Sequence, residues 1–445
     1  MLILLGCISL RADDEIRVEL TTKAQLSSIY LCKIHGEDSP LKPSYLKNLR
    51  KVLDFDLNYS GYSKIAEIDD ILEKALRHHD LNVAFNAQRW AKVGVSYVLK
   101  IEVHDKKLDL YTFSVKGGSL KKFEGIPLTG NLDTDRHQIH KLADALLKTL
   151  FGIEGISNSH LLYSVQVHNS DPNSQEWKAE IWECDWDGGN LRQVTFEQNY
   201  SITPVFIPSH PSHGSNRYLY VNYKNGQPKI YLSTLKNRTG KPLIDLRGNQ
   251  LLPAVSKQRD KMAFISDAAG RADLFLQAID DNGMMMGKPQ QLFSYPRATQ
   301  ASPTFSPDGS KIAFVSDKDG TPRIYVIPSS IQNNKRSQPS LLTKRNRENT
   351  CPNWSPDGTK LAYSAKINGV RQIWIYDFEA EEEQQLTIGP GNKENPFWAK
   401  DSLHLVFNST DPDSSELFLV NLNQPEVQKI TSGPGKKHYP TWGTK

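Results

Sequence analysis

Several things the chain lacks narrow it before anything it contains. Its 445 residues hold four cysteines, Cys7, Cys32, Cys184 and Cys351, and no Cys-x-x-Cys spacing, so neither a zinc site nor a disulfide framework is indicated. Charge of one sign is not in excess: 54 basic against 50 acidic side chains give +4, which argues against a nucleic-acid-binding surface. The apolar run Leu2 to Leu10 is too short to cross a bilayer. There is no Gly-x-Ser-x-Gly elbow, since Gly94-Val95-Ser96 and Gly117-Gly118-Ser119 continue with Tyr97 and Leu120, and no His-Glu-x-x-His. The adjacent His78 and His79 do not share a helix face and so do not suggest a metal site. Catalysis, a cofactor and a metal are all unexpected on these grounds.

What is there falls into three stretches. Residues 1–12 resemble the end of a secretory signal peptide without its basic start, which leads us to expect that the chain begins partway into its signal or that translation starts upstream. Residues 13–155 mix strand and helix patterns. Ile16, Val18 and Leu20 alternate as a short strand, and Leu26 to Ile34 is a buried one. Ser44 is placed to cap a helix with Leu46, Leu49, Val52 and Leu53 on one stripe; further helices are expected from Lys64 to His79 and near Val83 to Lys92. A hairpin over Val95 to His104 and Leu108 to Lys116 follows, then a helix capped by Thr134 and ended by Gly152. The expectation is an N-terminal α/β (α+β) domain.

From residue 156 to 445 the helical period gives way to a repeat of strands. Its anchors are the prolines 204, 253, 303, 352, 396 and 440, each before an inward aromatic or aliphatic residue and separated by 49, 50, 49, 44 and 44 residues. Between them recur Ser-Pro-Asp-Gly turns (Ser306 to Gly309, Ser355 to Gly358) and third strands such as Arg323-Ile324-Tyr325-Val326. Four strands in about 45 residues is the size of a propeller blade, so six anchors predict a six-bladed β-propeller. The last anchor has room after it for only one inner strand, and Leu161 to Val167, Ala179 to Cys184 and Leu191 to Thr195 supply the outer strands that the C-terminal strand would close upon. Asp308 and Asp357 are read as completing their own turns in preference to a calcium site, and Phe305, Trp354, Trp398 and Trp442 as inter-blade packing.

These units, together with Glu180-Ile181-Trp182-Glu183-Cys184-Asp185-Trp186-Asp187-Gly188 leading to Gln193-Val194-Thr195 and the preceding α/β domain, resemble the TolB family, the periplasmic component of the Tol-Pal system. The resemblance runs from Asp14 to Lys445. Three blades depart from it, with Ser209-His210-Pro211, Lys257-Gln258-Arg259-Asp260 and Lys400-Asp401-Ser402 where the Pro-Asp-Gly turn is expected. It implies a monomeric, non-enzymatic periplasmic adaptor that supports outer-membrane integrity and cell division. The alternative kept beside it is a peptide- or sugar-processing hydrolase or lyase built on a propeller.

The positions before each anchor proline should enter the channel mouth, and there the side chains are polar and varied: Arg297, Thr299 and Ser302; Arg347, Asn349 and Thr350; Lys393, Glu394 and Asn395; His438 and Tyr439. The resemblance implies that this face binds the peptidoglycan-associated lipoprotein, Pal. It also implies that the N-terminal segment with Asp14, Glu15, Ile16, Arg17, Val18, Glu19 and Leu20 engages TolA. An extended segment of this kind can dock or detach, the plain alternative being a strand fixed on its own domain.

Overall fold

Proline at the first turn of the helix Pro43–Asn58 fixes where that helix begins: Lys42 stays extended as the N-cap, and Ser44 lies inside the helix instead of capping it. A computed structural model describes residues 16–18, 24–36, 38–169, 176–209, 216–330 and 338–444, so the expected signal remnant lies outside the described residues. Five strands form the N-terminal sheet in the order Ser63–Ile65, Ser27–Leu31, Tyr97–His104, Lys107–Ser114 and Ser119–Pro127, the first three mutually parallel. The helices Pro43–Asn58 and Leu132–Phe151 bury Leu49, Val52, Leu53, Leu142 and Leu146 in the same core as Ile29, Leu99 and Leu110.

Three further helix expectations need correction. The stretch Lys64 to His79 divides: Lys64 and Ile65 extend the sheet beside Ser28 and Ile29, and the helix is only Asp70–Leu76. Asp69 decides its start, accepting from the amides of Ile71 and Leu72, and Ile68, outside that helix, is exposed. The next helix divides likewise into Leu81–Ala84 and Ala87–Val93, because the Asn86 side chain caps the Arg89 amide. Asn131, and not Thr134, caps the last helix, and Gly152 ends it in the left-handed conformation at φ 74°.

Six four-stranded sheets follow. Blade 1 joins Lys436–Thr444 to Ser159–His168, Trp177–Asp185 and Arg192–Gln193, so the C-terminal strand closes the ring as expected. The innermost strands of blades 2 to 6 are Ser201–Phe206, Gln250–Val255, Gln300–Phe305, Asn349–Trp354 and Asn392–Trp398. Each of the six innermost strands carries a β-bulge at the same place. The residue before the anchor proline is left-handed in all of them: Thr203, Leu252, Ser302, Cys351, Asn395 and Tyr439, with φ between 45° and 54°. Proline's Cδ clashes with a right-handed helical conformation in the residue before it, and the bulge uses the left-handed region to insert one residue.

Turn chemistry is local. Ser306 Oγ donates to Asp308 at 2.5 Å and Ser355 Oγ to Asp357 at 2.6 Å, and the Ser306 and Ser310 hydroxyls hold the Asp308 carboxyl down to about 2. Because the innermost strands of blades 3 to 6 each run into a turn on the same side, at Ser256, Ser306, Ser355 and Ala399, the channel has two distinct ends, an entry face before the prolines and a turn face after them.

The N-terminal domain sits on the turn face, against blades 1 and 6. Gln424 donates to Asn58 O at 2.8 Å and accepts from the Gly61 amide, while His404 Nε2 meets Tyr59 O at 2.8 Å. Trp186, fully buried, packs edge-on against Phe55 and donates to Asp56 at 2.8 Å. Gly189 leaves the space that Arg136 fills: a Cβ there would come within 2.0 Å of Nη2.

Candidate functional site

At the entry face the sequence places a polar residue three positions before every anchor proline: Ser201, Gln250, Gln300, Asn349, Lys393 and Lys437. All six are buried, and five of them turn back onto loop carbonyls. Gln250 donates to Ile244 and Leu246, Gln300 to Ala298, and Asn349 to Asn346 at 2.9 Å. Lys393 Nζ reaches the carbonyls of Gly389, Pro390 and Gly391, and Lys437 Nζ those of Gly433, Pro434 and Gly435. The expectation that Asn349 and Lys393 face a partner is therefore corrected. Both are fully buried, because a tight loop before each inner strand leaves carbonyls without strand partners and these side chains satisfy them. Lys393→Met should lower stability by about 1–3 kcal/mol through the carbonyls it strands. Urea unfolding measures this, and an unchanged midpoint would mean the clamp contributes nothing.

The other expected residues divide by depth. Arg297, Thr299 and Arg347 are exposed on the rim, and the Thr299 amide donates to Asp317 at 2.6 Å. Thr350, Glu394 and His438, two before the proline, are half-buried: Thr350 Oγ1 accepts from Arg371 at 3.1 Å, Glu394 pairs with the same guanidinium at 3.4 Å, and Ser415 Oγ lies 3.4 Å from His438 Nδ1. Ser302, Asn395 and Tyr439 are brought together, since their left-handed residues line one central cavity. Thr203, Leu252 and Cys351 line it with them and were missed, although they too stand immediately before the anchor prolines. Arg371 was also missed. It lies on the third strand of blade 5, and only the folded ring carries it to the mouth.

Of the N-terminal segment, Ile16, Arg17 and Val18 are described; Asp14, Glu15, Glu19 and Leu20 lie outside the described residues. The plain alternative of a strand fixed on its own domain is corrected: Arg17 and Val18 pair antiparallel with Ile388 and Thr387 of the propeller. Ile16 and Val18 pack on the apolar cluster of blades 5 and 6 that includes Leu386, Trp398 and Phe418, because alternation puts both on one face.

Between domain and propeller lies a buried charge cluster that the sequence did not reveal. Arg136 Nε is 3.3 Å from Asp185 and its Nη2 grips both Asp187 oxygens; His140 Nδ1 is 2.8 Å from Asp56, and its Nε2 is 3.5 Å from Asp185. His140, Asp185 and Asp187 have the residue types of a metal site, but Arg136 already brings its positive charge to both aspartates.

Comparison with known proteins bears on this arrangement. The family model described as the TolB beta propeller domain matches residues 147–338 and 330–445. A protein named Protein TolB homolog from Protochlamydia amoebophila is 47% identical over 388 residues, 86% of this chain and 82% of that one. A second Protein TolB homolog, from Chlamydia felis, is 36% identical over 88% of this chain and 85% of its own. The crystal structure of TolB from Acinetobacter baumannii superposes with a TM-score of 0.75 over 97% of this chain and 99% of that one, at 18% identity, which establishes the common fold.

Proposed function

Since this chain belongs to the TolB family, we propose that it is a non-enzymatic periplasmic adaptor of the Tol-Pal envelope system, binding Pal through the entry face of the propeller and TolA through its N-terminal segment. It would act as a monomer, link the two partners, and thereby support outer-membrane integrity and cell division. No helix among the described residues is long and apolar enough to cross a membrane, so in this reading the chain meets the envelope through its partners.

One observation carries the coupling. Thr387 and Ile388, which pair with the N-terminal strand, are followed directly by the three carbonyls that Lys393 clamps, and Lys393 is followed by Glu394 and Asn395 at the mouth. Docking of Arg17 and Val18 fixes one end of a seven-residue path whose other end is the proposed Pal surface. Release of the strand frees that loop, so TolA at the N-terminus and Pal at the mouth bias the same element.

In this reading the chain divides into an N-terminal domain, residues 13–155, and the propeller, residues 156–445. A binding titration of purified Pal against Arg297→Ala, Thr350→Ala and Tyr439→Ala is expected to weaken affinity by about tenfold or more for Tyr439, because buried aromatic anchors dominate interfaces, and less for the rim residue Arg297. Unchanged affinity in all three removes the mouth from the reading. Deleting residues 13–22 should abolish TolA binding, and a wild-type interaction afterwards would remove the N-terminal half.

A further inference from the structure

The cavity that begins at the six residues before the prolines does not end there. It continues to the turn face, the end away from Arg297 and Arg347 and beside the N-terminal domain, and holds about 590 Å³ in all. Its walls come from the innermost strands, where Phe206, Val255, Trp354, Phe397 and Trp442 and the anchor prolines make most of the surface and Thr304, Asn353 and Thr441 add polar groups. Val255, Trp354 and Phe397 are only half-buried by the fold, so they leave apolar surface facing this space. Among the described residues the lining contains no aspartate or glutamate, and its charged residues are Lys257 of blade 3 and Lys400 of blade 6, which stand on opposite sides of the ring.

Both lysines are exposed, and among the described residues neither forms an ion pair or a hydrogen bond. Lys400 acts on Asp144 and Glu154 of the N-terminal domain only through space. The blade turns explain the placement. Lys257 and Lys400 stand where Pro-Asp-Gly is expected, in two of the three blades whose turns depart from that motif, so lysines at the rim replace the proline of the regular turn. A mainly apolar chamber of this size, marked at its rim by two lysines of which Lys400 shares its charge through space with Asp144 and Glu154, has the makeup of a small-ligand site. The apolar walls accept a hydrophobic body and the lysines select the sign of its head group, since long lysine side chains keep their ammonium groups at the opening.

We propose that the turn-face end of the channel binds a small amphipathic anion, with an aromatic or acyl body among Phe206, Val255, Trp354 and Trp442 and one carboxylate or sulfonate between Lys257 and Lys400. This site is separate from the Pal surface at the entry face and does not depend on that assignment.

The test uses the full chain and two probes, 1-anilinonaphthalene-8-sulfonate followed by its fluorescence and dodecanoate as competitor. Saturable enhancement with one site per chain is expected, displaced by dodecanoate and not by dodecyltrimethylammonium. Lys257→Glu with Lys400→Glu should weaken the dye by about tenfold or more, the loss of one well-placed charge interaction or better. Val255→Trp should block it by filling the chamber while both lysines remain. Circular dichroism melting identical to wild type shows that the variants are folded; for a variant that melts early, displacement of the dye from the wild-type chain by each competitor decides alone. Binding that does not saturate, that survives both variants, or that the cationic detergent displaces as well as dodecanoate overturns the proposal.

Discussion

Replacing Arg136 with methionine should lower the stability of the chain by about 3–5 kcal/mol, the loss measured when one partner of a buried ion pair is removed. The reason is the charge left behind. Asp56, Asp185 and Asp187 face two cations, Arg136 and His140, which lie four residues apart on one face of the helix Leu132–Phe151. Without the guanidinium, three carboxylates in a closed junction face one imidazolium. Burial alone would strip the His140 proton, but the Asp56 and Asp185 carboxylates outweigh it and push that group up to about 10. The native state therefore keeps a proton that the unfolded chain releases near pH 6.5. That contribution is complete below pH 6.5 and is lost as the pH rises toward 10, so wild-type stability should decline between pH 7 and 9 on this account. Urea unfolding at pH 6 and pH 9 measures both effects. Adding Asp187→Asn to the Arg136→Met variant should recover part of the loss, because one stranded charge is gone. A loss under about 1 kcal/mol for Arg136→Met would show that the pair is screened and that Trp186 and Phe55 hold the junction by packing.

The propeller was legible because its determinants are local and repeated. Proline, the Pro-Asp-Gly turn and alternating strands each act over a few residues, and six copies near a fixed period leave little freedom in the architecture, down to the closing strand Lys436–Thr444. The helix expectations around Lys64 and Thr134 failed where two local signals competed. At Asp69 and Asn131 a side-chain cap outweighs hydrophobic spacing, since it satisfies amides that the first turn cannot. The mouth was legible as a position in the repeat but not residue by residue. A polar side chain three places before a proline reads the same whether it faces a partner or a carbonyl, and only the loop geometry shows that Lys393 and Asn349 do the latter. The Asp56, Arg136, His140, Asp185 and Asp187 cluster joins residues up to 131 positions apart, and no spacing rule reaches that far. The docking place of Arg17 and Val18 is of the same kind: alternation made them a strand, and the free edge at Thr387 and Ile388 exists only once blades 5 and 6 are assembled.

Acid should find the entry face through His438. Burial disfavours its charged form and the nearby Lys436 adds to that, bringing it down to about 4 from the ordinary 6.5. The sign is opposite to that of His140. Between pH 6.5 and 4 the unfolded chain takes up a proton that the native state refuses, so native stability falls as the pH is lowered through that window and the full penalty is reached near pH 4. At 1.36 kcal/mol per pH unit this amounts to about 3 kcal/mol. The group facing the ring is neutral, since Ser415 Oγ lies 3.4 Å from Nδ1, and the Tyr439 ring centroid is 6.0 Å away; no carboxylate pairs with it among the described residues. His438→Gln keeps a hydrogen-bonding side chain of similar reach without the titration. Unfolding free energies of wild type and variant at pH 7, 5.5 and 4 should therefore converge or cross as the pH falls, the difference between them changing by about 3 kcal/mol, while the aspartates and glutamates common to both cancel. Parallel pH profiles would show that His438 is solvated in the native state, and would place its imidazolium, not a neutral ring, at the channel mouth.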